Sequence, residues 1–225
     1  MKNLSIVIPA YNEGKRIEKT LTSLNKFFPD SEIIVVSNGS TDNTNELLEN
    51  WKGKNKNFSY FVYNDKLGKG GAILKGLEAA KSEITGFLDA DDAFDLNEVK
   101  KMIGKLDSAD CVIASKWKGR GFFDVNEPFL RKILGRFWNR LVRILLGLSF
   151  SDTQAGAKFF RKDALNIKNE FICKDFSFDV ELLYRLKDKK IIECNIPSNY
   201  VEGSKFNYKH AVPMFRNVLK LWITK

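Results

Sequence analysis

An α/β protein built on a mostly parallel sheet, with helices on both faces, is what this chain predicts. Three observations point there. Short apolar runs alternate with helically spaced apolar residues through the first two thirds of the chain. The segment Glu32–Val36 is continuously apolar after its first residue, the mark of a strand covered on both faces. The 225 residues are 44% apolar and 12% aromatic, enough to build a full core.

The elements follow in order. Leu4–Ile8 is the first strand; Ser5 interrupts it and Asn12, Glu13 and Lys15 follow, so it does not read as a signal peptide. Glu13–Phe28 is helical, with Ile17, Leu21, Leu24 and Phe28 on one stripe. After the strand Glu32–Val36 come a helix over Asn43–Trp51 and a strand over Phe58–Tyr63. Gly70–Ala80 is helical, Ile84–Leu88 a strand, Asn97–Leu106 helical and Asp110–Ala114 a strand. In such sheets ligands bind beyond the carboxyl ends of the strands. Here those ends are Ala10–Glu13, Ser37–Asp42, Asn64–Gly68 and Asp89–Asp92, all polar.

Phe129–Leu148 differs. Its apolar residues recur at helical spacing through 130, 133, 134, 137, 138, 141, 144, 145 and 148, with five Lys and Arg largely off that stripe. The pattern suits a membrane interface or a helix packed on the sheet with a solvated cationic face. Residues 206–225 repeat the basic amphipathic pattern. No run approaches the roughly 18 apolar residues that span a bilayer.

Composition excludes several chemistries. Three cysteines, 111, 173 and 194, are odd in number and lack CxxC spacing, against a disulfide framework or a zinc site. A single histidine, His210, nearly excludes a Ser-His-Asp triad or an HExxH metalloprotease. The net charge is +9, and residues 116–143 concentrate it, with eight Lys or Arg against two acids. Such a patch meets phosphate in nucleic acid, lipid headgroups or a substrate.

The sharpest signal is Phe87-Leu88-Asp89-Ala90-Asp91-Asp92, an apolar strand running into three carboxylates. Strand alternation aims Asp89 and Asp91 the same way. Like charges this close need a cation between them or one must stay protonated, and Mg²⁺ uses one or two carboxylates with substrate phosphates. The bland reading is a turn whose Asp residues cap the helix at Asn97. Leu67-Gly68-Lys69-Gly70-Gly71 enters a helix, so its N–H groups suit an anion or form only a tight turn. Ile73 and the lack of Gly-Lys-Ser/Thr exclude dinucleotide and P-loop fingerprints.

Together these pieces resemble a family. Ser5–Glu13 (SIVIPAYNE), Ile33–Thr44, Asn64–Gly76 and Asp89–Asp91 are similar, in order and spacing, to inverting family 2 glycosyltransferases of the GT-A fold. Ser151–Phe160 and Phe176–Tyr184 resemble later blocks of the polyprenyl-phosphate (dolichyl-phosphate) mannose or glucose synthases. The resemblance implies a Rossmann-like catalytic domain over 1–205, with a nucleotide-sugar half at 1–115 and an acceptor half at 116–205. The tail 206–225 is then membrane-interfacial, and the protein is peripheral on the cytoplasmic membrane face.

It also implies roles. Pro9, Tyr11, Glu13 and Asn38 line the nucleoside pocket, and Asp89 and Asp91 hold a divalent metal (Mg²⁺ or Mn²⁺) and the diphosphate. Lys69 lies near the nucleotide-sugar, Lys116 and Arg131 hold the acceptor phosphate, and Lys205 closes a lid over the donor. Gln154, with Asp152 and Thr153, reads sugar hydroxyls or the donor diphosphate, and Asp179 orients the acceptor site or its arginines. The chain departs from the family at Ser37-Asn38, where Asp-Asp is usual, at Ala93, where some members have a Gln metal ligand, at Lys116, where Arg is usual, and at Gly135, where some have Ser. A phosphate acceptor needs no strong base, whereas a sugar-hydroxyl acceptor makes Asp179 or Glu181 an essential one. A basic module binding nucleic acid or membrane gains nothing from Asp89 and Asp91, so nucleic acid is not the expected partner.

Overall fold

The computed structural model describes residues 3–91, 93–167, 170–197 and 210–224. The first half alternates as the periodicity predicts: β1 (Leu4–Ala10), α1 (Ile17–Phe27), β2 (Glu32–Asn38), α2 (Thr44–Lys52), β3 (Phe58–Tyr63), α3 (Gly68–Ala79), β4 (Ile84–Leu88), α4 (Leu96–Gly104) and β5 (Cys111–Ser115). Then follow α5 (Phe129–Leu146), β6 (Ala157–Arg161), α6 (Phe178–Arg185), β7 (Ile191–Asn195) and α7 (Ala211–Ile223). One seven-stranded sheet runs β3-β2-β1-β4-β6-β5-β7. Its pairs are parallel except that β6 lies antiparallel between β4 and β5. A strand from the expected acceptor half is thereby built into the centre of the sheet.

The strands divide their side chains by period two. Ile6, Ile8, Ile33 and Val35 face one layer with Leu21 and Leu24 of α1 and Val99 and Ile103 of α4. Val7, Ile34 and Val36 face the other, with Ile73 and Leu77 of α3 and Phe178 and Leu182 of α6. Burying each such side chain contributes about 1.5–3 kcal/mol.

Helix α1 starts at Ile17, later than the Glu13 read from its stripe. Asn12 has φ 53°, and the Glu13 carbonyl accepts from Arg16 and Ile17 N–H in a turn. Glu13 is thus released from the helix into the space above β1. Asp95, not the Asp89–Asp92 cluster, caps α4 by accepting from Asn97 N–H at 2.8 Å.

Of the two readings of α5, packing on the sheet holds for only part of its apolar stripe. Leu130, Ile133, Leu134, Phe137 and Ile144 are exposed. The buried side is Lys132, Val142 and Leu146, and Lys132 Nζ donates to the carbonyls of Phe122 and Val125. Helix α7 packs on α5 and α6 through Met214, Val218 and Leu221, leaving Val212, Phe215, Trp222 and Ile223 exposed. No helix among the described residues is long and apolar enough to cross a membrane.

Candidate active site

The carboxyl ends of β1, β2 and β4 open into a cleft of about 270 Å³. Pro9, Tyr11, Glu13, Asn38, Lys69, Asp89 and Asp91 all line it, so the fold unites seven residues read from four separate segments. Asn12 joins the first two loops, its Oδ1 accepting from Thr41 N–H at 2.7 Å. Glu13 is anchored by its N–H to Thr44 Oγ1 at 2.9 Å, and its carboxylate pairs with Arg16 at 2.7 Å. The Asn38 amide oxygen accepts from Leu67 N–H at 2.6 Å, tying β2 to the start of α3.

Asp89 and Asp91 both reach the cleft, but the turn after β4 places them there and not strand alternation: β4 ends at Leu88, and Ala90 between them lines the cleft too. Asp89 N–H donates to Gly156 O at 2.8 Å, and a side chain at Gly156 would overlap the Asp89 carboxylate. Lys69 Nζ sits 2.9 and 3.1 Å from the two Asp89 oxygens. Behind it the pairing continues. Lys69 Nζ is 3.4 Å from Asp179 Oδ2, and Asp179 Oδ1 is 2.6 Å from Lys158 Nζ. Burial pushes the Asp89 carboxyl up, and Lys69 opposes this. For Lys69, burial works against the ammonium, but Asp179 and Asp89 outweigh it and raise its pKa.

Among the described residues no cluster of three or more His, Cys, Asp or Glu could hold a metal. Two carboxylates open to the cleft, Asp89 and Asp91, fit Mg²⁺ or Mn²⁺, whose other ligands come from phosphate and water.

Several expectations change. The glycine loop is not an open anion cradle: Gly70 and Gly71 N–H donate to the carbonyls of Asp175 and Lys174. Gly68, at φ 80°, lies where a Cβ would overlap Lys174 O, so close packing demands it. Asp179 partners lysines, not arginines. Asp152, Thr153 and Gln154 are engaged within the protein. Gln154 Nε2 donates to Phe176 O, Thr153 Oγ1 to Asn139, and Asp152 accepts from the N–H groups of Lys116 and Gln154. Lys205 lies outside the described residues, as does Asp92.

Lys116 and Arg131 do not line the cleft; they meet on one carboxylate, Glu127, at 2.7 and 3.7 Å. Sequence reasoning passed over Glu127, whose only signal was being one of two acids in the basic segment. It also missed Lys66, with Nζ 4.5 Å from the Tyr11 ring centroid, and Arg16, Phe176 and His210 in the cleft wall. Arg16 had a signal, its spacing of three from Glu13; Phe176 and His210 are brought there by tertiary packing, their rings 4.9 Å apart. Burial lifts the Cys111 and Cys173 thiols to about 12, which removes them as nucleophiles.

Comparison with known proteins agrees with this architecture. A dolichyl-phosphate beta-glucosyltransferase of Trichomonas vaginalis is 30% identical over 238 residues, covering 97% of this chain and 72% of the relative. An undecaprenyl-phosphate mannosyltransferase of Micrococcus luteus is 28% identical over 203 residues, 87% of this chain and 82% of the relative. Glucosyl-3-phosphoglycerate synthase from Mycobacterium tuberculosis, solved with Mg²⁺ and UDP, superimposes with a TM-score of 0.67 at 19% identity, over 97% of this chain and 77% of that one. At that identity the likeness is one of fold. Residues 5–167, which run from β1 past β6, match the family described as glycosyl transferase family 2. That match covers most of the chain, and the chain belongs to glycosyl transferase family 2 and is a glycosyltransferase of the GT-A fold.

Proposed function

We propose that this enzyme transfers a hexose from a nucleotide-sugar, UDP-glucose or GDP-mannose, to a polyprenyl phosphate such as dolichyl phosphate, with inversion. The observation that carries the reading is the position of α5. A helix with an exposed apolar face brings Arg131 to Lys116, on a wall that leads back to the donor cleft. Lys116 N–H binds Asp152, Asp152 binds Gln154, and Gln154 binds the carbonyl of Phe176 in the cleft. The names of the Trichomonas and Micrococcus relatives point to the same acceptor class.

The chain's residues then divide the labour. Pro9, Tyr11, Glu13 and Asn38 hold the nucleoside. Lys69 faces the diphosphate, and Asp89 and Asp91 would hold Mg²⁺ or Mn²⁺, which when bound supplies positive charge against the leaving nucleoside diphosphate. Lys116 and Arg131 offset the acceptor phosphate, separating two anions that would otherwise repel. That phosphate has its second pKa near about 6 and is mostly dianionic at neutral pH. Its oxygen attacks the anomeric carbon, the new C–O bond forms, and the bond to the diphosphate breaks with its electron pair on the nucleotide.

A sugar-hydroxyl acceptor fits less well, because it needs a base. Asp179 is held by Lys158 and Lys69. Glu181 Oε1 accepts from Arg185 and Ile172 N–H, and Oε2 from Cys173 N–H. Neither carboxylate is placed to take a substrate proton. Under this reading 1–115 is the donor half and 116–205 the acceptor half, and α5 and the 206–225 tail seat the enzyme on the cytoplasmic membrane face.

The test is a product assay with a short polyprenyl phosphate, each donor in turn, and Mg²⁺ or Mn²⁺ in detergent. Mass spectrometry should find a metal-dependent hexosyl phospholipid that Asp91→Ala abolishes. Binding of UDP or GDP without any such product would leave the fold standing and overturn the acceptor.

A further inference from the structure

One of the two carboxylates that would receive a divalent cation, Asp89, already carries a cation of the protein's own. Lys69 Nζ spans both oxygens of Asp89 at 2.9 and 3.1 Å. An ammonium and a metal ion on the same carboxylate repel each other, so they compete for it. Lys69 also has a second partner close by, Asp179 Oδ2 at 3.4 Å. That oxygen is kept aimed at Lys69 from behind. Lys158, with no exposed surface, holds Asp179 Oδ1 at 2.6 Å and is itself fixed by Ala155 O at 2.6 Å. The row Asp89, Lys69, Asp179, Lys158 therefore alternates in sign and sums to zero, with Asp91 left over at the cleft.

We propose that Lys69 is a displaceable counter-ion, seated on Asp89 when no divalent cation is bound and moved to Asp179, which Lys158 holds ready, when one is. Lys158 is then a positioning residue that acts through Asp179 without touching substrate. A fully buried lysine on a central strand is costly unless it is used, since a hydrophobic side chain fills such a site as well. Seating Lys69 on Asp89 keeps the carboxylates compensated between turnovers. Moving it to Asp179 keeps its charge beside the diphosphate once Asp89 is occupied.

The inference rests on Asp89 and Asp91 being the cation's carboxylates, and the experiment separates the two. Mn²⁺ binding is read from the EPR signal of the free ion, with and without UDP, so no turnover is needed. Lys69→Met should tighten Mn²⁺ binding without nucleotide by at least about fivefold, because the competitor is gone. The double variant Lys158→Met/Asp179→Asn keeps the buried site neutral and removes the second seat. It should weaken Mn²⁺ binding by about as much. Circular dichroism and thermal melting check the fold of each variant, and Lys69→Ala repeats the first test if methionine disturbs it. Unchanged or weaker binding in folded Lys69 variants overturns the counter-ion, and unchanged binding in the double variant overturns the role of Asp179 and Lys158. If binding fails in Asp91→Asn yet ignores Lys69→Met, only the counter-ion falls. If neither the unaltered protein with UDP nor Lys69→Met binds Mn²⁺, or Asp91→Asn has no effect, both assignments fall.

Discussion

Helices α1 and α5 carry similar apolar stripes, but α1 buries its stripe and α5 leaves most of its own exposed. Ile17, Leu21 and Leu24 of α1 are 0% exposed against the sheet, whereas Leu130, Ile133, Leu134, Phe137 and Ile144 of α5 are 40–72% exposed. The cause lies in what each helix can reach. Helix α1 follows β1 directly and folds back over the sheet's open face. Helix α5 meets the body through Val142, Leu146 and the Lys132 ammonium, which finds two loop carbonyls. Helical spacing thus reveals that a stripe exists and leaves open which medium it faces.

The contrast can be broken by substitution. Leu24→Ala in α1 should cost about 2–5 kcal/mol in chemical denaturation, because a buried leucine leaves a cavity. Phe137→Ala in α5 should stay within about 0.5 kcal/mol. Equal losses would show that α5 is packed in solution as α1 is.

Gly156→Ala probes the donor cleft, since the added methyl displaces the Asp89 carboxylate. Transfer should fall about 10²-fold while stability falls by about 1–3 kcal/mol. Arg131→Ala probes the other half; it should raise the acceptor KM about tenfold and leave UDP affinity unchanged in calorimetry. Loss of UDP affinity instead would erase the division between halves. The smallest effect is expected from Phe137→Glu/Ile144→Glu, read by co-sedimentation with anionic vesicles. Binding should drop several-fold with the melting temperature unchanged, and undiminished binding would remove α5 from the membrane contact.

Much of the cleft was legible because its residues sit at or just beyond strand ends, where ligands bind in such sheets. Apolar runs mark β1, β2 and β4 as the strands whose ends converge, whereas Asp89 and Asp91 reach the cleft through the turn that follows β4. Pro9, Tyr11, Glu13 and Asn38 were assigned by the family resemblance; strand-end pattern alone pointed only to the segments Ala10–Glu13 and Ser37–Asp42. Lys158 was not legible. A lysine in Ala157–Arg161 reads as a surface residue until β6 is known to lie between β4 and β5. The glycines at 68, 70 and 71 were misleading for a similar reason. Their use depends on the chain at 174–178, a hundred residues away.

Local order in this chain, set by side-chain periodicity, accounts for the first five strands and the helices between them. These depend on neighbours a few residues apart. Long-range packing settled the rest: the antiparallel entry of β6, the row from Asp89 to Lys158, the meeting of Lys116 and Arg131 on Glu127, and the outward face of α5. Each brings together residues distant in the chain, and a buried charge or an exposed apolar face takes its meaning from partners that proximity in sequence does not supply.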